Sequence, residues 1–356
     1  MPDVSDCALN PIGFLGADWW GSDARAMGAE LRRRGCLLIE RHYEDHYPTR
    51  WRSLWLRALR RVCRPLMAED YNAAVLELLQ VRPLEFLLVF KGMLVTPQTL
   101  KRFRDRSVPI YCVYPDVSFQ DHGSNIWDCL PLYDCVFTTK SWHLEDAQLA
   151  KRVRRLRHVS HGFDPEVHRP VAVSQHTHRL YACDVSFVGY WSPKKERLLL
   201  RLMESMPQLD LRIWGPSWHL ADPALRRCWQ GRGAWGDEIS AIYASSRINL
   251  GLLSEAGTGT VSGDLTTART WQIPASGGFL LHEDTAELRR AFLPDSEVGV
   301  FTGPQDVADA VKYWLQQSPQ RMAAARAAHA RAVRAPYTYA PAVDQILACH
   351  QQWNSG

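Results

Sequence analysis

The chain has 356 residues, 46% of them hydrophobic and 22% charged, with a formal net charge of +4. That length exceeds one ordinary core and suits two domains. The small charge excess excludes the strongly basic footprint of a nucleic-acid binder. The N-terminus lacks the basic-then-apolar layout of a signal peptide, and no apolar run reaches the roughly 18 to 20 residues of a membrane span. The nine cysteines are scattered, with no C-x-x-C pair, and read as free thiols of a reducing compartment, with neither a metal site nor a disulfide frame. The expected location is the cytoplasm, with peripheral contact at the inner face of a membrane left open. The 14 tryptophans suit either stacking on sugars and bases or added core bulk.

In chain order, Pro11–Gly16 predicts a buried strand ending in glycine, and Asp23–Arg34 a helix stopped by Gly35. Cys36–Glu40 predicts the next strand. Strand, loop, helix, strand is the unit of a parallel sheet. Asp18, just past the first strand, is a candidate catalytic or acceptor-binding carboxylate, because ligands of such sheets bind beyond the carboxyl ends of the strands. Thr49–Pro65 places Trp51, Leu54, Trp55, Ala58, Leu59 and Val62 at helical spacing, with arginines from Arg50 to Arg64 largely on the other side. Such a helix either lies on an anionic membrane or acidic acceptor, or packs on its own domain with solvated arginines.

A helix at Tyr71–Gln80 and strands at Phe86–Phe90, Val108–Tyr114, Tyr133–Thr139 and Leu156–Ser160 continue the series, with helices at Pro97–Asp105 and Ser141–Leu149 between them. Lys91 and Asp116 fall just past strand ends, and Asp116 is a second candidate catalytic carboxylate. His161–Pro170 reads as an exposed linker, and the stretch to His178 as polar and unpatterned.

A second parallel series follows. Cys183–Gly189 predicts a strand ending in glycine, with a helix opened by Lys194, Lys195 and Arg197. A glycine turn, a helix N-terminus and adjacent cations are what a diphosphate requires. Leu209–Ile213 and Ile248–Leu253 predict strands, and Ala256–Thr260 a glycine-threonine loop. The stretch Asp264–Glu287 reads as a polar lead, a helix through Arg269, Trp271 and Gln272, a Gly277-Gly278 turn, a buried strand and a further helix. Helices at Asp306–Gln317, Gln320–Val333 and Pro341–Trp353 complete the chain.

H-G-F-D-P-E-V-H-R-P at 161–170, D-V-S-F-V-G at 184–189, I-W-G-P-S-W at 213–218, S-R-I-N-L at 246–250 and A-R-T-W-Q-I-P-A-S-G-G-F-L-L at 268–281 resemble, in this order, the CgeB-like (spore-maturation-type) group of GT-B glycosyltransferases. The resemblance covers most of the second half; in the first it is limited to strand order and Tyr133-Asp134. It implies an α/β GT-B fold: two Rossmann-like parallel-sheet domains facing across a cleft, an acceptor domain at 1–170, a nucleotide-sugar domain at 171–335, and a C-terminal helix at 336–356 crossing back to the first. It implies a metal-independent glycosyltransferase, retaining or else inverting with Asp18 or Asp116 as base, that moves sugar from a nucleotide-diphosphate sugar to a glycan, lipid-linked or other acceptor, with no cofactor beyond that donor.

Carried over, Gly189, Lys194 or Lys195, Arg197, Arg247 and Arg269 would meet the diphosphate, and Trp214, Gly215 and Pro216 the base. Related retaining enzymes carry two glutamates eight positions apart, where this chain has Asp264 and Gln272. Gln272 would hold the ribose and Asp264 would stand near the sugar. Arg269→Ala is expected to reduce turnover without harm to the fold. A non-catalytic nucleotide-sugar or glycan-binding relative is the alternative; a nicotinamide-dependent oxidoreductase ranks last, because neither Gly16 nor Gly189 begins a G-x-G-x-x-G turn.

Overall fold

Strands buried on both faces read as unbroken apolar runs, because helices must cover each side of a parallel sheet. In the computed structural model, which describes residues 10–48, 53–120, 124–255 and 263–354, two such sheets form. The chain divides into a first unit of Met1–Val159 with Ala342–Gly356 and a second of Ser160–Pro341.

The first unit runs β1 (Ile12–Gly16), α1 (Asp23–Arg33), β2 (Leu38–His42), α2 (Leu54–Val62), α3 (Arg64–Val81), β3 (Leu87–Phe90), α4 (Pro97–Arg104), β4 (Ile110–Tyr114), α5 (Ser124–Cys129), β5 (Cys135–Thr138), α6 (Ala147–Ala150) and β6 (Leu156–His158). All pairings are parallel, in the order β2-β1-β3-β4-β5-β6. The central strands β1, β3, β4 and β5 are buried throughout. Leu15, Val75, Leu78, Leu87, Leu100, Phe103 and Ile110 fill one face. The expected helix at 141–149 is a short 3-10 turn, Ser141–Glu145, followed by α6, whose N-cap is Asp146.

The second unit runs α7 (Gln175–Tyr181), β7 (Cys183–Val188), α8 (Pro193–Ser205), β8 (Leu211–Trp214), α9 (Pro223–Cys228), α10 (Asp237–Ser245), β9 (Ser246–Gly251), α11 (Ala268–Ala275), β10 (Leu280–Glu283), α12 (Ala286–Ala291), β11 (Gly299–Phe301), α13 (Val307–Gln316) and α14 (Ser318–Arg334). Its parallel sheet has the order β11-β10-β9-β7-β8. Because β7 lies between β8 and β9, the chain reverses its direction of travel across the sheet there, which makes β7/β9 the topological switch point. The last helix, α15 (Ala340–Asn354), belongs to the first unit: His350 meets Glu85 at 2.8 Å and the Tyr111 hydroxyl at 3.1 Å.

Two further expectations change. The 161–170 segment is not an exposed linker but part of the second unit's interior: Phe163, Asp164, Val167 and His168 are buried, and the Phe163 N–H donates to the Tyr337 carbonyl at 3.1 Å. The stretch before β7 contains α7, set by the Ser174 cap, whose hydroxyl accepts the Thr177 N–H, rather than by apolar periodicity. The predicted loop at 256–260, residues Thr49–Trp51 of the arginine-rich helix and Cys7 lie outside the described residues.

At the end of β8 the backbone of Gly215 passes so close to Gly189 that a Cβ would stand 1.8 Å from the Gly189 carbonyl oxygen, and its φ of +150° disfavours any side chain. Gly215→Ala should therefore lower stability by more than about 2 kcal/mol, read from urea unfolding midpoints; a wild-type midpoint would contradict this packing.

Candidate functional site

Parallel strands end with carbonyls that have no further partner in the sheet, so the carboxyl edge at a switch point is rich in acceptors and open to ligands. Here Arg269, in the first turn of α11, fills that edge. Its Nη1 donates to the Val188 carbonyl at 3.1 Å and its Nη2 to the Leu252 carbonyl at 2.8 Å, tying the ends of β7 and β9 together. The guanidinium lies 5.2 Å from the Phe187 ring centroid. Gly189 leaves room for it, since a Cβ there would meet Nη1 at 2.8 Å. Burial lowers the Arg269 pKa, with the charges of Tyr243, Asp264 and Glu283 opposing that fall.

Helix α8 begins beside this edge. Ser192 caps it, accepting the Lys195 N–H at 3.4 Å. Lys194 Nζ donates to Glu283 Oε2 at 2.6 Å, and the other oxygen of that carboxylate accepts the Leu253 N–H at 2.7 Å. Lys195 is only 3% exposed; its Nζ donates to the Tyr190 carbonyl at 3.3 Å and to Ser254 Oγ at 3.2 Å. Burial pulls its pKa down to about 7, helped by the charge of Arg269 and opposed by that of Asp264. Asp264 is 2% exposed, and its N–H donates to the Ser254 carbonyl at 3.3 Å. Burial likewise pushes His282 down to about 4. The neutral ring donates from Nδ1 to the Glu283 carbonyl at 2.6 Å and accepts at Nε2 from Thr270 Oγ1 at 2.9 Å. Three cations thus share one edge with two carboxylates, Asp264 and Glu283, beside a helix N-terminus, an arrangement suited to an anion.

The expected residues divide accordingly. Gly189, Lys194, Asp264 and Arg269 meet at the switch point. Gln272 is buried on α11, three positions after Arg269 and so on a neighbouring part of the same face. Arg197, on α8, is exposed and stands 3.8 Å from Glu255. Gly215 and Pro216 follow β8 beside Gly189: the Trp191 N–H donates to the Pro216 carbonyl at 3.2 Å, and the Gly189 N–H to the Trp214 carbonyl at 2.8 Å. The Trp214 side chain, 1% exposed, belongs to the core and not to a surface that meets a base. Arg247 is also corrected: it sits at the amino end of β9, the edge opposite the cations, where it pairs with Asp184 at 2.8 Å and donates to the Leu315 carbonyl. In the first unit, Asp18 is exposed after β1 and 3.8 Å from Arg25, its N–H donating to Glu44. Asp116, after β4, pairs with Lys91 at 2.6 Å. Lys91 holds a left-handed φ of 68° at the end of β3. Each candidate carboxylate therefore has its own cation.

Glu283 was not singled out from sequence, although its place at the end of a strand was a usable signal. Lys195, the alternative to Lys194 on sequence, joins it at this edge.

Residues 194–348 match the model of a family described as glycosyl transferase-like. No curated protein matches the chain. Among solved structures, a sucrose-phosphate synthase from Thermosynechococcus elongatus is similar with a TM-score of 0.65 at 13% identity, over 97% of this chain and 99% of that one. The Anabaena protein HepE in complex with UDP-glucose is similar with a TM-score of 0.62 at 11% identity, over 98% and 100%. A UDP-N-acetylglucosamine 2-epimerase described from Listeria monocytogenes as unconfirmed in activity has a TM-score of 0.54 at 10% identity, over 97% and 96%. The fold is GT-B, with two Rossmann-like parallel-sheet domains.

The two carbonyls held by Arg269 correct the expectation that its removal would spare the fold. Arg269→Ala should cost about 1–3 kcal/mol for each buried carbonyl it strands, visible in urea unfolding. Arg269→Lys should recover only part of this, because one ammonium lacks the planar fork that reaches both strands. A variant as stable as wild type would remove Arg269 from this bracing role.

Proposed function

We propose that the chain is a glycosyltransferase of the CgeB-like kind that takes sugar from a nucleoside diphosphate sugar, its donor in the second unit and its acceptor in the first. The observation that carries this reading is the convergence of Lys194, Lys195, Arg269 and the α8 N-terminus on the β7/β9 switch point. The family match begins at Lys194 and spans these groups, and it favours transfer over the other activities hosted by this fold. HepE, solved in complex with UDP-glucose, supports a UDP-sugar as the first donor to try.

As the bond from the anomeric carbon to the diphosphate oxygen breaks, negative charge gathers on the leaving phosphate. Cations already in place there stabilise it without reorganisation, and more strongly because they are desolvated. In this reading the reaction is retaining and metal-independent, and the leaving phosphate takes the acceptor's proton. Asp264 faces the positive charge that develops on the sugar, and Gln272 hydrogen-bonds the ribose through its carboxamide. Should the outcome be inversion, Asp18 or Asp116 would serve as base. A non-catalytic nucleotide-sugar binder is the second reading, favoured by Asp264 and Gln272 standing where related retaining enzymes carry glutamates. Release of UDP from UDP-glucose with sugar appearing on an acceptor separates the two; donor binding without transfer to any acceptor favours the second.

Lys195 gives the donor reading a proton signature. With its pKa at about 7 in the folded chain and 10.5 in its ordinary state, Lys195 binds fewer protons folded than unfolded between these values. Its contribution to stability therefore rises with pH across that window. A diphosphate favours the protonated amine, so UDP binding takes up a proton above pH 7. UDP affinity should fall by up to about tenfold per pH unit between about pH 7 and pH 9, with proton uptake measured by calorimetry in buffers of different ionisation enthalpy. Lys195→Met should bind UDP weakly and without that slope. A flat profile in wild type would remove Lys195 from the diphosphate site.

The acceptor side carries a proposed membrane contact. No described helix is long and apolar enough to cross a membrane. In α2 and the first turn of α3, however, Trp55, Val62 and Leu66 are 68%, 77% and 68% exposed. Between Asp45 and Glu69 the sequence holds six arginines and no carboxylate, which suits an anionic surface. The chain should sediment with phosphatidylcholine vesicles containing about one third phosphatidylglycerol and not with phosphatidylcholine alone. Trp55→Ser with Val62→Ser should abolish this; equal sedimentation of that variant would discard the contact.

A further inference from the structure

The first unit contains a cavity that neither the donor site nor the sheet edge accounts for. It has a volume of about 750 Å³ and lies between α3 and the β3–α4 loop, within the size range of small-molecule sites. Ala68, Ala73, Leu76 and Leu94 supply apolar wall. Asn72 also faces it, but its amide is already used. Nδ2 donates to the Ala68 and Leu94 carbonyls at 2.6 and 2.7 Å, and Oδ1 accepts the Thr96 N–H at 3.0 Å and the Thr99 hydroxyl at 2.6 Å. A side chain so satisfied offers little to a polar ligand and behaves as wall. Glu69, Thr96, Gln98 and Asn125 also border the cavity, but most of its exposed wall is apolar, which suits hydrocarbon more than sugar.

Its position names the source of that hydrocarbon. The lining begins at Arg64 and Pro65, where α3 starts and where the exposed row Trp55, Leu59, Val62, Leu66 ends. Apolar surface and cavity wall thus lie on two consecutive helices, α2 and α3. Glu69 is the carboxylate among the lining residues, against the six arginines that precede it. The loop on the other side of the cavity starts at Lys91, the partner of Asp116. A chain lying in the cavity would have its head group near Arg64, the cation among the lining residues, and its tail along Ala68, Ala73, Leu76 and Leu94.

We propose that this cavity receives the hydrocarbon chain of a phosphorylated membrane lipid, so that the acceptor is lipid-linked. The assignment rests on the transferase reading for the word acceptor, but the cavity and its occupant can be tested without turnover. Farnesyl phosphate is the probe, titrated into the full chain by calorimetry, with inorganic phosphate and farnesol as the two halves. Farnesyl phosphate should saturate at one per chain, and inorganic phosphate should give no comparable binding. Ala73 is exposed on the wall, so Ala73→Trp fills the cavity without entering the core. It should weaken farnesyl phosphate at least tenfold while UDP affinity stays unchanged, which also reports an intact fold. Arg64→Glu, at the rim, should weaken farnesyl phosphate and leave farnesol unaffected. No saturable binding by wild type, binding of inorganic phosphate as tight as that of farnesyl phosphate, or undiminished binding by Ala73→Trp would each overturn the assignment. If UDP binds and sugar reaches another acceptor while farnesyl phosphate fails, the lipid assignment falls and the transferase reading stands. If farnesyl phosphate binds and no nucleotide does, the reverse holds.

Discussion

The second unit depends on Arg269 bridging the Val188 and Leu252 carbonyls. A parallel sheet whose strand order reverses must part its two connections at the switch point, and the strand ends left there expose acceptors that the sheet cannot satisfy. A planar guanidinium spans two such carbonyls at once, which an ammonium does not. Several neighbours follow from this placement. Gly189 has no side chain because the guanidinium occupies that space, and Gly215 has none because Gly189 does. The Thr267 N–H donates to Thr270 Oγ1 at 2.9 Å, and the same hydroxyl meets His282, fixing the first turn of α11 from which Arg269 extends.

The second constraint is charge. Arg269, Lys194 and Lys195 gather where little water reaches, and each must be offset. Lys194 has Glu283; Asp264 acts on both Lys195 and Arg269. Burial, helped by the charge of Arg269, lowers the Lys195 pKa. The desolvation that lowers it also strengthens any interaction an arriving phosphate makes. Structural bracing and proposed ligand binding therefore come from one cluster, and separating them requires measurements of stability beside measurements of affinity.

The first unit is built differently. Its sheet-edge carboxylates, Asp18 and Asp116, have cations of their own in Arg25 and Lys91. Its distinctive chemistry lies on helices instead. Apolar side chains of α2 and the start of α3 remain exposed, and the next turns of α3 wall a cavity in which the Asn72 amide is fully engaged. Burial of apolar surface is the main driving force of folding, so Trp55 and Val62 on α2 and Leu66 on α3, left in solvent, make the exposed apolar patch on which the proposed membrane contact rests.

Much of this was legible in the residues. Unbroken apolar runs such as Phe86–Phe90 and Leu280–Leu281 can only be central strands, and the alternation of strand and helix made both sheets parallel. The helix, glycine turn and strand of Asp264–Glu287 follow the pattern read from them. Even the place of Arg247 was available, since it precedes its apolar run and so falls at the amino edge of a parallel strand; family resemblance, not residue reading, put it with the donor. Trp214, the last residue of an apolar run, could not be divided between core and rim without its neighbours. Short elements also escaped: α7 depends on one capping serine, and β11 on pairing with β10. What only the tertiary structure decided is which charges meet. The partners of Lys194 and Lys195 lie at Leu253, Ser254 and Glu283, 59 to 89 residues away, and periodicity reports only on neighbours a few turns apart. Local pattern fixed the strands and helices, while burial at their ends determined the chemistry.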